Sequence, residues 1–230
     1  MQNPPRILVL GIGNLLWADE GFGVRAVEEF HRRFEVPEHV QLLDGGTQGI
    51  YLVQHVRDAD VLVVFDAVDF GLAPGAIRCY HDDEVPQFLG AKKISLHQTG
   101  FQEVLAMADM MGDAPERLFL IGVQPVELDD YGGGLRPEVH AQIEPAIELA
   151  RGYLRELGVE THLRSEPLPR CQTIACPVLN PEDYEQGRPS NDAALRSGDP
   201  RVLAGGNFHA PGDYNAEIED ILARTPEEQR

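Results

Sequence analysis

The hydrophobic positions of this chain fall into short continuous runs separated by stretches with a helical period. The run Ile7 to Leu10, with Ile12, is closed by Gly11 and Gly13 and reads as a strand buried on both faces. Asp19 can cap a following helix whose apolar positions Phe22, Val24, Val27 and Phe30 partly keep a helical spacing. A second strand over 40–43 stops at Asp44-Gly45-Gly46, and a helix is expected over 49–56. Residues 61–65 (VLVVF) are the strongest strand in the chain: continuous, β-branched and bounded by Asp60 and Asp66, as in a central parallel strand. Residues 76–80 read as an edge strand, 101–111 as a helix, 118–123 as a further buried strand and 137–157 as one long amphipathic helix.

Strands alternating with helices predict an α/β fold, a three-layer sandwich with a twisted, mostly parallel sheet between helices. The pattern fails after about residue 165. Between Arg170 and Ala216 the large apolar residues are few and aperiodic, and Pro177, Pro181, Pro189, Pro200 and Pro211 punctuate the stretch. So little apolar surface does not offset an ordering cost of ~1–2 kcal/mol per residue. The expectation is a folded domain over 1–165 and an irregular C-terminal tail, extended or disordered, over 166–230.

Charge narrows the partners. Asp and Glu number 38 against 19 Lys and Arg, a formal net charge of −19, which opposes binding to nucleic acid or an anionic membrane. No apolar run reaches the ~18 residues of a membrane span, and none resembles a leader with its cleavage site. Three cysteines, with Cys171 and Cys176 lacking zinc-ribbon spacing, fit reduced thiols in the cytoplasm.

Candidate chemistry gathers where such a fold places its sites, at the carboxyl ends of the strands. The glycine-rich junction 11–23 (GIGNLLWADEGFG) departs from the dinucleotide fingerprint. Its third glycine position is Leu16, and a pyrophosphate would face Asp19 and Glu20. Glu20 follows the first strand, Asp44 ends the second, Asp66 ends VLVVF, and His97 lies in the segment 94–100 (ISLHQTG) that enters the next helix. Carboxylates joined by an imidazole suit zinc, nickel, manganese or iron, with positions left open for water or substrate. Each residue also has a purely structural role open to it. Asp19 or Glu20 can serve a helix N-terminus, Asp44 a turn, and His97 a packed interior. The consecutive His81, Asp82, Asp83 and Glu84 read as a solvated loop. There is no G-x-S-x-G elbow, and Ser95 lies two positions from His97 without the geometry that would make it a nucleophile.

Four blocks resemble the hydrogenase maturation endopeptidases: 7–25 (ILVLGIGNLLWADEGFGVR), 43–47 (LDGGT), 66–68 (DAV) and 94–100 (ISLHQTG), with 120–125 (LIGVQP) similar as well. The resemblance implies an α/β sandwich that removes a C-terminal extension from the precursor of the nickel-iron hydrogenase large subunit after nickel insertion. It further implies that Glu20, Asp66 and His97 contact nickel supplied by the substrate, which another divalent transition metal could replace. Asp44, with Asp66 and Glu20, is then the catalytic set. Gly13, Asn14, Gly45, Gly46 and Gly100 would let an extended peptide approach the backbone. The mechanism is expected to be metal-directed hydrolysis, with an aspartic-type protease as the second description. The competing reading from another class is a nickel-sensing chaperone that holds the precursor without cutting it. The expected protein is a cytoplasmic monomer. Its tail is long for the family, and the resemblance assigns the tail no role.

Overall fold

A computed structural model describes residues 4–85, 96–128, 132–175 and 179–181, with the main chain alone for 96–100. The first apolar run forms β1 (Ile7–Ile12), buried along its whole length. It is followed by helix α1 (Phe22–Arg33), the strand β2 (Phe34–Glu35) and β3 (Val40–Gly46). A short turn of 3-10 helix leads into α2 (Val53–Arg57) and then β4 (Val61–Ala67), which is buried throughout as its composition predicts. Next come β5 (Ile77–His81), α3 (Leu96–Met110), β6 (Arg117–Val123), α4 (Pro137–His140), α5 (Ile143–Glu156) and β7 (His162–Leu163).

The sheet order is β3-β1-β4-β6-β5, with β5 antiparallel on β6 and all other pairs parallel. Strand alternation sends Val9, Val63, Phe65 and Ile121 to one face, under α1 and α5. It sends Leu10, Leu62, Val64 and Leu120 to the other, under α2 and α3. The expected three layers and the edge position of 76–80 are both present.

The expected single helix over 137–157 is two helices. Pro145 lacks an N–H, and its ring would clash with the carbonyl of Ala141 in a continuous helix. The chain turns at Ala141 and Gln142, which leaves Pro145 in the first turn of α5. The helix expected to begin at 101 begins at Leu96, so the 94–100 block supplies its opening turn. No helix among the described residues is long and apolar enough to cross a membrane.

Beyond residue 161, β7 pairs antiparallel with β2, and the chain then lies along α1. The N–H groups of Arg164 and Leu168 donate to the carbonyls of Arg33 and Arg32, and the Thr173 hydroxyl donates to Glu28. Ala175 is buried, and the Arg25 guanidinium donates to the Leu179 carbonyl. The described residues past 165 therefore form a strap over α1. All described residues fall within residues 1–188.

Candidate active site

In this strand order the chain leaves β1 toward β3 on one side and returns to β4 on the other. The crevice between β1 and β4 is the switch point at which open α/β sheets take their ligands. Glu20 sits in the 3-10 turn Ala18–Gly21 that follows β1 and packs against β4, and Asp66 lies near the end of β4 itself. Both are buried, at 9% and 3% exposure. Two carboxylates withdrawn from water on either side of one crevice are costly unless cations or donors meet them there.

Asp44 shares this edge of the sheet but faces the other way. Its register partner is Gly11, which pairs with Phe65, so Asp44 takes the parity of Phe65, toward α1, and Asp66 the opposite parity, toward α3. Burial pushes the Asp44 carboxyl above the usual carboxylate range. The Gly46 N–H that donates to it works against this shift, Glu28 on α1 adds to it, and Arg25 opposes it. The expectation that the four polar groups meet at one rim becomes a finer statement. Asp44 lies on the α1 face, and Asp66 lies on the face covered by α3, whose first turn carries His97. The side chain of His97 lies outside the described residues, as does Ser95. Among the described residues, no three His, Cys, Asp or Glu side chains are placed to hold a metal ion.

Gly13 and Gly45 serve the protein's own packing. A side chain on Gly13, whose φ is +142°, would lie 1.9 Å from the Glu20 carbonyl oxygen, and one on Gly45 would meet Leu10. Asn14 shapes the same loop: its Oδ1 accepts the Leu16 N–H at 3.0 Å, and its own N–H donates to the Glu20 carbonyl at 3.1 Å. The space around Gly46 is more open. Gly100 lies in α3, and its surroundings lie outside the described residues. The run 81–84, expected as a solvated loop, is exposed throughout, but His81 still belongs to β5, with its ring stacked on Phe119 at 4.5 Å, and the turn begins at Asp82.

A family model described as hydrogenase maturation protease matches residues 24–152. The HupD hydrogenase expression/formation protein of Thiocapsa roseopersicina is 62% identical over 203 residues, spanning 88% of this chain and 92% of that protein. The chain belongs to the hydrogenase maturation protease family. The hydrogenase 2 maturation protease of Escherichia coli is 46% identical over 156 residues, spanning 67% of this chain and 94% of that protein. The solved structure of the maturating endopeptidase HybD from E. coli superposes with a TM-score of 0.66 at 44% identity, covering 70% of this chain and 98% of that one. The 203 residues aligned with the Thiocapsa protein cannot all precede residue 166. Part of the C-terminal segment is therefore common to the two chains, and its length is not peculiar to this family member.

Two residues position the loops: Asp19, to which the sequence reading gave only a capping role, and Gln124, to which it gave none. Asp19 is fully buried, and it is not simply a helix cap. Its Oδ2 accepts the N–H groups of Val126 and Glu127 at 2.8 and 3.4 Å, and its Oδ1 accepts that of Arg136 at 2.8 Å. It thereby fixes the loop after β6 against the loop after β1. Gln124 does the same for the loop after β4. Its Oε1 accepts from the Phe70 and Leu72 N–H groups at 2.7 and 3.1 Å, and its Nε2 donates to Asp69 and to the Pro125 carbonyl. Gln124 stands in the 120–125 block, the one local sign that it matters.

Proposed function

We propose that this chain is an endopeptidase that removes the C-terminal extension of the nickel-iron hydrogenase large-subunit precursor once nickel is in place. In this reading it acts as a cytoplasmic monomer. The observation that carries the proposal is the pair of buried carboxylates, Glu20 and Asp66, flanking the β1/β4 crevice of a maturation-protease fold. With the His97 imidazole they make a mixed oxygen and nitrogen donor set suited to nickel or another divalent transition metal. The metal is part of the substrate here. Coordination by Glu20, Asp66 and His97 would license cleavage only of a precursor that already carries it.

For the hydrolysis, a carboxylate takes a proton from water as the oxygen attacks the scissile carbonyl, and the departing amine receives a proton. Asp44 is the candidate for this base or for the group that orients it, because burial raises its carboxyl above the usual carboxylate range. The same shift favours the aspartic-type description, in which a protonated carboxyl donates to the substrate carbonyl. The opposite facing of Asp44 and Asp66 weighs against those two acting as one dyad.

The test is the mass of the precursor C-terminus after incubation with the protein, for nickel-loaded and nickel-free precursor. Loss of the extension from the loaded form alone is expected. Folded Glu20→Ala, Asp66→Ala and His97→Ala variants that still cleave at the wild-type rate would refute the role given to the metal. An unchanged mass with loaded precursor and wild-type protein would favour the nickel-sensing chaperone instead.

A further inference from the structure

Each loop that leaves the carboxyl end of a parallel strand exposes a large apolar side chain. After β1 it is Leu16, after β3 Ile50 and Tyr51, after β4 Leu72 and after β6 Val126, with Tyr51 81% and Ile50 50% exposed. These loops are braced to one another. The Gly13 N–H donates to the Gly46 carbonyl at 3.1 Å, and the Gly132 N–H donates to the Leu16 carbonyl at 2.7 Å. The Val126 N–H meets Asp19 at 2.8 Å, and the Phe70 N–H meets Gln124 at 2.7 Å. The Gln48 amide donates to the Asp44 carbonyl at 3.0 Å and holds the turn that carries Ile50 and Tyr51. The result is a braced series of loops, from the β3 loop through the β1 and β6 loops to the β4 loop, beside the crevice that contains Glu20 and Asp66.

Loops braced in this way need little further ordering when they are covered, so apolar contact on them yields more net binding than on loose loops. Their charge is one-sided. Residues 13–21, 45–52, 68–76 and 124–128 contain no Lys or Arg, whereas Asp69 and Glu127 are exposed on them, and the loop after β6 reaches a basic residue only at Arg136, where α4 begins. A folded surface from which the C-terminal peptide emerges can cover the apolar groups of all four loops together, in addition to the mouth of the crevice. We infer that this rim is the docking face for the folded body of the precursor, through an apolar patch bordered by Lys and Arg around the point where its C-terminal segment departs. The inference rests on the proteolytic reading and names the surface that reading would use.

The experiment uses full-length protein and purified nickel-loaded precursor. It reads KM from processing and Kd from biolayer interferometry at two salt concentrations. The double variant Ile50→Asp/Tyr51→Asp, and independently Val126→Asp, should raise KM and Kd tenfold or more, with wild-type binding weakening as salt rises. Met110→Asp, at an 87% exposed residue at the end of α3, where the chain heads back to the start of β6, should leave both values unchanged. Wild-type values in the Ile50/Tyr51 and Val126 variants would overturn the inference. So would light scattering that shows a wild-type dimer made monomeric by these substitutions, which would assign the face to a second copy of the chain. If the wild type binds precursor but leaves its mass unchanged, the proteolytic reading falls, and the docking face is then judged on Kd alone.

Discussion

Gly11 and Gly23 meet with no side chain between them. A methyl group on Gly11 would lie 2.3 Å from the Gly23 carbonyl oxygen, and one on Gly23 would lie 2.2 Å from the carbonyl oxygens of Ile12 and Phe65. Helix α1 therefore begins directly on the β1/β4 junction, and that contact sets where Glu20 stands relative to Asp66. Gly23→Ala must push the helix off the sheet, at a cost of about 3 kcal/mol. The expected result is a drop in Tm of roughly 10 °C with loss of processing. Gly152→Ala, on α5 with open space around it, should be neutral or gain up to about 1 kcal/mol. Equal thermal unfolding curves for the two variants would contradict the close-contact account.

Asp19 is expected to behave as a brace. Asp19→Ala removes the acceptor from part-buried main-chain N–H groups at Val126 and Arg136 and should cost about 2–3 kcal/mol. Amide exchange at those two positions should accelerate with it. A residue that merely capped a helix would cost nearer ~1 kcal/mol and would leave both amides protected.

Glu28 is buried on α1, paired with Arg25 at 2.9 Å and accepting the Thr173 hydroxyl at 3.1 Å. Glu28→Ala leaves the buried Arg25 cation without this partner, and a loss of roughly 3–5 kcal/mol is expected. The segment after Arg164 should become sensitive to limited proteolysis. If cleavage there matched the wild type, the strap would not depend on this network.

The Asp44 carboxyl gives a pH signature. Its folded pKa is raised by burial, so the folded state holds the proton more tightly than the unfolded chain. The stability this confers is complete below the usual carboxylate range and is lost as pH rises through the raised value. Asp44→Asn carries no such loss, so its Tm should gain on the wild type between acidic and neutral pH. A Tm difference that stays constant with pH would refute the shift. If Asp44 is the general base, the same variant should slow processing by a factor of ~100 or more.

The strands were readable because β1, β4 and β6 are buried over most or all of their length, and a continuous β-branched run such as 61–65 suits a strand with sheet neighbours on both sides and helices on both faces. The same logic located Asp66 and Glu20, since the carboxyl ends of those strands are where polar residues converge. Pro145 could have divided the 137–157 helix in advance, because a proline inside a helical pattern displaces the carbonyl four residues before it. Other features had no local signal. The partners of Asp19 lie more than 100 residues away and are main-chain groups, which any residue type could have supplied. The facing of Asp44 became visible only with the strand register. The strap past residue 165 is held by single hydrogen bonds and two-residue strands, which leave no periodicity to detect.

The strap joins residues that are far apart along the chain, with Thr173 meeting Glu28 across 145 positions. On the ribosome, α1 is among the first elements to emerge, yet the strap that covers it arrives after every strand of the main sheet has been made. Contacts of such long sequence separation form late and slowly. A truncated or stalled nascent chain would therefore hold a complete sheet with an uncovered first helix, and it would be exposed to chaperones and proteases until synthesis passes the strap.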